Sequence, residues 1–169
     1  LFIDFFDNKS DFFHQHKLKF NPIGRIDKLP PAIIKKVNKL KKETHENLGS
    51  CINVAINYGG REEMVDTTRK IIEDVISVNS NAEQNKKLES INEEVIKNNS
   101  YLPVIPEPEL LIRTGGHSRV SNFLLWHIAY SEIDICNKLW PDFNSNDLEE
   151  SINKYKCVDR KFGGSSKND

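Results

Sequence analysis

Two arginines, a serine and a pair of glycines lie close together between Arg113 and Ser121. Arg113 and Arg119 each carry a fork of N–H donors that matches phosphate oxygens, and glycines expose backbone N–H groups to a ligand. Further along, the carboxylate of Glu132 could hold a divalent cation against the same anion. These residue types predict a phosphate or diphosphate site. A strand, a turn and a helix with two solvated arginines would give the same pattern, and both interpretations stand at this point.

The elements that must position these side chains begin with the apolar run Leu110–Ile112, which predicts a buried strand. The run Cys51–Asn57 predicts a second buried strand, and Tyr58–Arg61 follows it with another Gly-Gly pair. Ligands of open α/β sheets bind beyond the carboxyl ends of the strands. Both glycine loops are therefore expected at the edge of the sheet where a ligand would bind.

The rest of the chain alternates strand and helix patterns. Strands are predicted over Lys17–Ile23 and Ile133–Cys136. Helices are predicted over residues 1–16, from Pro30-Pro31, over Arg61–Ser77, over Leu88–Ile96 and from Asn146, with Asn79–Lys87 as a loop. The inward-facing side chains are predicted to be Ile33, Ile34, Val37 and Leu40, then Met64, Thr68, Ile71, Ile72 and Val75, then Leu148, Ile152 and Tyr155. This order indicates an α/β fold with a mainly parallel central sheet flanked by helices.

The composition limits the classes of partner. The 169 residues are 37% hydrophobic and 29% charged with a formal net charge of −1, which suits one domain and argues against nucleic-acid binding. Three widely spaced cysteines, Cys51, Cys136 and Cys157, indicate free thiols in a reducing compartment. The sequence contains no apolar run of transmembrane length and no signal-peptide pattern. Leu1 lacks a helix start signal before it, so this chain is expected to be the C-terminal part of a longer domain.

Several blocks resemble, in matching order, those of the cis-prenyltransferase family of the undecaprenyl and dehydrodolichyl diphosphate synthase type. These blocks are Leu111–Gly116, Arg119–Trp126, Ala129–Glu132, Asn57–Glu63, Leu139–Phe143 and Arg160–Gly164. The resemblance covers nearly the whole chain and implies an α/β fold with a hydrophobic tunnel. It implies one domain over residues 1–164, without its first strand and helices, and a loose tail at 165–169.

The resemblance also implies a reaction. Isopentenyl diphosphate would be condensed onto an allylic diphosphate such as farnesyl diphosphate, with Mg²⁺ as the cofactor, to give a long-chain polyprenyl diphosphate. The implied assembly is a homodimer, or a heteromer with a related subunit. The expected location is the cytoplasm, the membrane surface of the endoplasmic reticulum, or an organelle, with peripheral membrane association through the lipid product.

Individual positions take roles from the same resemblance. The residues implied to bind substrate are Arg113, Arg119, Ser121, Arg160, Gly163, Gly164, Asn57 and Arg61. Glu132 matches a carboxylate near the magnesium ion, and His117 is a second candidate ligand. Ile52, Val54 and Ile56 would line the tunnel or belong to an ordinary core.

Three departures from the family pattern leave alternatives open. His117 stands where the family has glutamate, and Val158 replaces a residue that is usually basic. The family's magnesium-binding aspartate has no counterpart here, so no catalytic residue is assigned and this segment alone is expected to be inactive. The alternatives to a cis-prenyltransferase are a non-catalytic partner subunit, an inactive fragment with only the isopentenyl diphosphate half-site, and a phosphate-binding α/β domain of other chemistry.

Overall fold

The computed structural model describes residues 10–158. The chain divides into two compact units, Leu1–Ile105 and Pro106–Asp169. The start of the helix predicted over residues 1–16 and the tail predicted at 165–169 lie outside the described residues.

The first unit combines a pair of parallel strands with helices. Residues 10–15 form a helix, α1. The elements that follow are β1 (Lys19–Ile23), a 3₁₀ turn (Ile26–Lys28), α2 (Pro31–Glu43), β2 (Cys51–Ala55), α3 (Gly60–Ile76), α4 (Asn81–Glu89) and α5 (Glu93–Asn99). Lys19 lies opposite Cys51 and Ile23 opposite Ala55, so β1 and β2 are parallel. Helix α2 connects them, as the crossover helix does in a βαβ unit.

The core of this unit joins α1, α2 and the strand pair. Its buried members are Phe13, Phe20, Val37, Leu40 and Ile56. Burying each large apolar side chain contributes roughly 1.5–3 kcal/mol. The hydroxyl of Thr44, at the end of α2, accepts a hydrogen bond from the Phe20 N–H at 3.0 Å and donates one to the Leu40 carbonyl at 2.9 Å. These two bonds fix the end of the helix against β1.

The second unit also contains a pair of parallel strands. Its elements are β3 (Leu110–Thr114), β4 (Glu132–Cys136), a 3₁₀ turn (Trp140–Asp142) and α6 (Ser145–Lys156). Strands β3 and β4 are parallel, and α6 packs on both. The buried hydroxyl of Ser151 on α6 donates a hydrogen bond to the Asp134 carboxylate on β4 at 2.5 Å. The predicted α/β class with parallel strands is therefore confirmed in both units.

The prediction of which α3 side chains face inward is partly wrong. Ile71 and Val75 are buried as expected, but Thr68 and Ile72 are exposed. The face turned inward instead continues through Thr67 and Glu63, at steps of four residues. Hydrogen bonds to the Glu63 carboxylate make this burial possible, and a hydrophobic pattern does not reveal such an acid.

Other boundaries also differ. The predicted loop Asn79–Lys87 is largely helix α4, and the helix predicted over Leu88–Ile96 is α5, which begins at Glu93. The side chain of Asn92 caps α5 by accepting from the Val95 N–H. The last helix was predicted to start from Asn146, but it begins at Ser145, because Asn144 is its N-cap and forms the capping box with Asp147.

Two predictions of burial fail in part. Within β2, Cys51, Ile52 and Ala55 are exposed, so this strand is not fully buried. Among the described strands it pairs with β1 alone. On α6, Leu148 and Ile152 are exposed and Ser151 is the residue that faces inward.

None of the helices within residues 10–158 combines the length and the apolar character needed to cross a bilayer.

Candidate functional site

The guanidinium of Arg113 meets the hydroxyl of Ser121 at the carboxyl end of β3. Arg113 is the residue before the last in this strand, and its Nη1 donates a hydrogen bond to Ser121 Oγ at 3.1 Å. Its Nε is buried and has no hydrogen-bond partner among the described atoms. A buried donor without a partner is costly, so this geometry favours an acceptor such as a phosphate oxygen at the site.

A cavity of about 300 Å³ adjoins this pair. It is lined by Leu111, Ile112, Arg113, Thr114, Val120, Ser121 and Phe123. The lining combines apolar side chains with the convergent guanidinium and hydroxyl, a combination typical of sites for ligands that have a charged head and an apolar body.

The two glycines after β3 tie the loop to the end of β4 and to the residues just after it. The Gly115 N–H donates to the Lys138 carbonyl at 2.7 Å, and the Gly116 N–H donates to the Cys136 carbonyl at 3.0 Å. Both glycines have positive φ, 89° and 71°, which glycine adopts without strain. The expectation that these N–H groups are free for an anion is therefore wrong, because both are already satisfied inside the fold.

The loop then turns tightly back towards Arg113. His117 and Arg119 are exposed, and the Arg119 N–H donates to the His117 carbonyl at 3.0 Å. Ser121 and Asn122 have positive φ, 47° and 63°. This compact turn is what returns the Ser121 hydroxyl to the strand end, while Arg119 projects from the loop at an exposed position.

Glu132 lies at the other end of the strand pair. It is the first residue of β4 and lies opposite Leu110, whereas Arg113 lies opposite Ile135. The two residues are therefore offset by three positions along the strands. At ~3.3 Å per residue of parallel strand, this offset is about 10 Å. The strand register therefore does not bring Glu132 to the Arg113–Ser121 pair.

The described residues do not form a complete metal site. His117 follows β3 at its carboxyl end, whereas Glu132 begins β4. No group of three or more His, Cys, Asp or Glu side chains within residues 10–158 is arranged to hold a metal ion. Mg²⁺ prefers octahedral oxygen coordination, and these two side chains alone do not supply it.

The other predicted loop belongs to the first unit. Asn57 has a φ of 48°, and its Nδ2 donates to the Arg25 carbonyl at 2.9 Å. Arg61 is exposed in the first turn of α3, just beyond the buried Gly59 and Gly60. The structure thus gives Asn57 a structural role, joining the loops that follow β1 and β2.

The candidates for a tunnel lining differ in burial. Ile56 is buried in the core and Val54 packs against that core, whereas Ile52 is 37% exposed. The core interpretation is therefore correct for Ile56 and Val54. Arg160, Gly163 and Gly164 lie outside the described residues.

Sequence reasoning missed a polar cluster beside Asn57. Arg25 binds Asp66 through two hydrogen bonds, Nε to Oδ2 at 2.8 Å and Nη2 to Oδ1 at 2.9 Å. Tyr101 Oη donates to Asp66 Oδ2 at 2.5 Å, and the Tyr101 N–H donates to Glu63 Oε1 at 2.9 Å. Arg25, Asp66 and Tyr101 are far apart in the sequence and form no local motif, so no sequence signal pointed to them.

The cluster shifts the titration of its members. The hydrogen bond from Arg25, opposed by partial burial, lowers the pKa of Asp66 to about 2. Burial and the hydrogen bond to Asp66 raise the pKa of Tyr101 to about 12. The hydrogen bond to Asp66 raises the pKa of Arg25 above its usual value. The carboxylate is therefore ionised and the phenol neutral throughout the physiological range.

The parallel strands and the guanidinium–hydroxyl pair at a strand end define an α/β protein with a candidate phosphate site. Residues 1–163 match the prenyltransferase family of undecaprenyl diphosphate synthase, and the chain belongs to that family. The resemblance stated from the sequence blocks is thereby confirmed.

Curated relatives agree with this assignment. An isoprenyl transferase of Thermotoga maritima is 37% identical over 97% of this chain and 67% of its own length. An isoprenyl transferase of Clostridium tetani is 38% identical over 89% of this chain and 57% of its own length. A (2E,6E)-farnesyl-diphosphate specific ditrans,polycis-undecaprenyl-diphosphate synthase of Photorhabdus laumondii is 38% identical over 100% of this chain. The chain spans 57–67% of the length of the first two.

Solved structures share the fold. Lavandulyl diphosphate synthase from Lavandula x intermedia, in complex with dimethylallyl diphosphate, has a TM-score of 0.87 at 29% identity. The match covers 96% of this chain and 68% of the synthase chain. A probable undecaprenyl diphosphate synthase from Campylobacter jejuni has a TM-score of 0.79 at 26% identity. This match covers 94% of this chain and 69% of the Campylobacter chain.

Proposed function

We propose that the protein containing this chain is a cis-prenyltransferase that adds isopentenyl diphosphate to an allylic diphosphate and releases a longer polyprenyl diphosphate. The observation that carries this proposal is the Arg113 guanidinium at the end of β3, which is held by Ser121 and has a buried Nε without a partner. Family membership and the names of the relatives support the chemistry. Dimethylallyl and farnesyl diphosphate, which those names mention, are candidate primers.

The proposed reaction forms one carbon–carbon bond. The allylic C–O bond breaks and diphosphate leaves with the electron pair. The double bond of isopentenyl diphosphate attacks the allylic carbon, and loss of a proton restores a double bond. Arg113, Arg119 and Ser121 would hold the diphosphate of isopentenyl diphosphate, because guanidinium groups and a hydroxyl donate to its oxygens. These residues would fix the position of the attacking double bond, a contribution of orientation.

Further residues also have proposed roles. Asn57 and Arg61 would shape the substrate loop of the first unit, and Arg160, Gly163 and Gly164 would close over the isopentenyl diphosphate. Mg²⁺ is the proposed cofactor, with Glu132 and His117 as candidate ligands. Since the described side chains do not form its site, no step of the reaction is assigned to it. A homodimer or heteromer, and attachment to a membrane surface through the lipid product, belong to the same proposal.

Substitution of Arg113 tests the proposal in the protein at its full natural length. Arg113→Ala should raise the KM for isopentenyl diphosphate about 100-fold, because hydrogen bonds to a charged group contribute roughly 1.5–3 kcal/mol each. Arg113→Lys retains the charge but not the fork and should recover only part of the loss. Arg69→Ala, which removes an exposed arginine of α3, is the control. An unchanged KM in Arg113→Ala would contradict the assignment.

A non-catalytic partner subunit is the second candidate. The observation that favours it is His117, which stands where the family has glutamate and removes a fixed negative charge from the loop. The purified protein with labelled isopentenyl diphosphate, farnesyl diphosphate and Mg²⁺ separates the two candidates. Turnover without a second protein excludes the partner role. Turnover only after a related subunit is added supports it.

A further inference from the structure

Arg25 holds the predicted substrate loop through its backbone. Its N–H donates to the Asn57 carbonyl at 3.1 Å, and its carbonyl accepts from Asn57 Nδ2 at 2.9 Å. Asn57 has a φ of 48°, a conformation that costs a non-glycine residue free energy and persists where its surroundings fix it. The two hydrogen bonds supply that restraint at the beginning of the loop.

The side chain of the same arginine holds the helix that follows the loop. Both oxygens of Asp66 accept from the Arg25 guanidinium, at 2.8 and 2.9 Å. Asp66 lies on α3, and Arg61 lies in the first turn of that helix. Arg25 therefore restrains the segment Asn57–Arg61 at its start through the backbone and at its end through α3.

Tyr101 completes the restraint on α3. Its hydroxyl donates to Asp66, and its N–H donates to Glu63, an acid that is only 1% exposed. Tyr58, within the loop itself, donates from its hydroxyl to the other oxygen of Glu63 at 2.5 Å. Glu63 and Asp66 of α3 thus bind the loop through Tyr58, the end of β1 through Arg25 and the segment after α5 through Tyr101.

We propose that Arg25 is a positioning residue for the substrate loop Asn57–Arg61. Its side chain acts through the two hydrogen bonds to Asp66, since the bonds to Asn57 are made by its backbone and persist in any variant. This inference rests on the proposed function, in which Asn57 and Arg61 shape the substrate loop of the first unit. Arg25 would not touch substrate. It would fix the conformation of the loop, and small displacements of groups that bind substrate weaken binding and catalysis strongly.

The test compares Arg25→Ala, Asp66→Asn and the double variant in the full-length protein. Arg25→Ala should raise the KM for a diphosphate substrate about tenfold. Because the two residues act as one pair, the double variant should be no worse than the more impaired single variant. Arg25→Lys should recover part of the loss. Arg69→Ala is the matched control, since Arg69 approaches the same Asp66 at 3.6 Å but has no link to Asn57.

Thermal unfolding of each variant separates positioning from damage to the fold. Loss of folded protein lowers the apparent kcat and leaves the KM of the remaining molecules unchanged, whereas displacement of the loop changes KM. An Arg25→Ala variant with the KM of Arg69→Ala, or additive effects in the double variant, would overturn the inference. Arg113→Ala is measured in parallel: if its KM is also unchanged, it is the proposed function that fails.

Discussion

The Nη1 atom of Arg113 donates a hydrogen bond to Ser121 Oγ at 3.1 Å, and this contact joins the end of β3 to the far side of the loop that follows it. The hydroxyl orients one edge of the guanidinium. The buried Nε leaves a second edge to be satisfied. A diphosphate oxygen is the acceptor that the proposed function supplies.

Ser121→Ala should weaken the binding of isopentenyl diphosphate about fivefold, because one hydrogen bond contributes about 1 kcal/mol. Calorimetric titration with isopentenyl diphosphate measures the change in Kd. Ser118→Ala is the control, since Ser118 is an exposed serine of the same loop. Equal effects of the two substitutions would argue that Ser121 has no special relation to Arg113.

Gly24→Ala should destabilise the first unit severely. A Cβ at Gly24 would lie 2.3 Å from the Ile56 carbonyl oxygen, and its φ is 115°. Gly115→Ala shares the positive φ, 89°, but its Cβ would meet nothing within 4 Å. Denaturant unfolding should therefore show a cost above roughly 3 kcal/mol for Gly24→Ala and about 1–2 kcal/mol for Gly115→Ala. A smaller loss for Gly24→Ala would contradict the close approach of these two loops.

Glu63→Gln should lower the free energy of unfolding by about 2 kcal/mol. The buried carboxylate accepts from the Tyr58 hydroxyl and the Tyr101 N–H, and an amide offers one acceptor oxygen in place of two. Glu73→Gln, an exposed acid on the same helix, should change stability by less than about 0.5 kcal/mol. The pair of variants is compared in one denaturant series, and equal stabilities would refute the role of Glu63.

Asp66 predicts a loss of stability in acid. Its folded-state pKa is lowered from 3.8 to about 2, so its contribution is fully present above about pH 4 and is lost as the pH falls through 2. Asp66→Asn cannot titrate at this position, so the unfolding free energy lost between about pH 4 and pH 2 should be smaller in this variant by about 1–2 kcal/mol, allowing for solvent screening. An equal loss of unfolding free energy between these pH values in Asp66→Asn and in the unaltered protein would contradict this prediction.

Hydrophobic patterns and turn residues were sufficient to predict the strands and the arginine loop. The strand Lys19–Ile23 lies within the predicted Lys17–Ile23, and the strand Leu110–Thr114 contains the predicted Leu110–Ile112, because apolar runs and bounding turn residues are local signals. The prediction for α4 was wrong because its Asn-rich sequence resembles a loop. In the structure, Gln84 binds the Val78 carbonyl and Lys87 binds Asp74. Those contacts are tertiary, and helix propensity does not encode them.

The candidate site was predictable by residue type but not by geometry. The types and spacing of Arg113 and Ser121 indicated an anion site, and the structure brings the two together. The hydrogen bonds of the two glycine N–H groups to Cys136 and Lys138, and the distance of Glu132 from Arg113, depend on strand register, which spacing along the chain does not determine. The cluster of Arg25, Asp66 and Tyr101 depends on packing between distant segments.

The crossover between β3 and β4 has a consequence for local unfolding. Parallel strands are usually joined through a helix, but residues 115–131, all of them described, run through turns. Gly115 and Gly116 bind Lys138 and Cys136, but beyond them short-range backbone bonds occur along the stretch, such as Phe123 N–H to the Val120 carbonyl and His127 N–H to the Leu124 carbonyl. Ser121, Asn122 and Leu124 have positive φ. Such a segment can open without breaking the strand pair, so its amide hydrogens should exchange with solvent well before those of β3 and β4. A ligand that holds Arg113 and Ser121 together would close it.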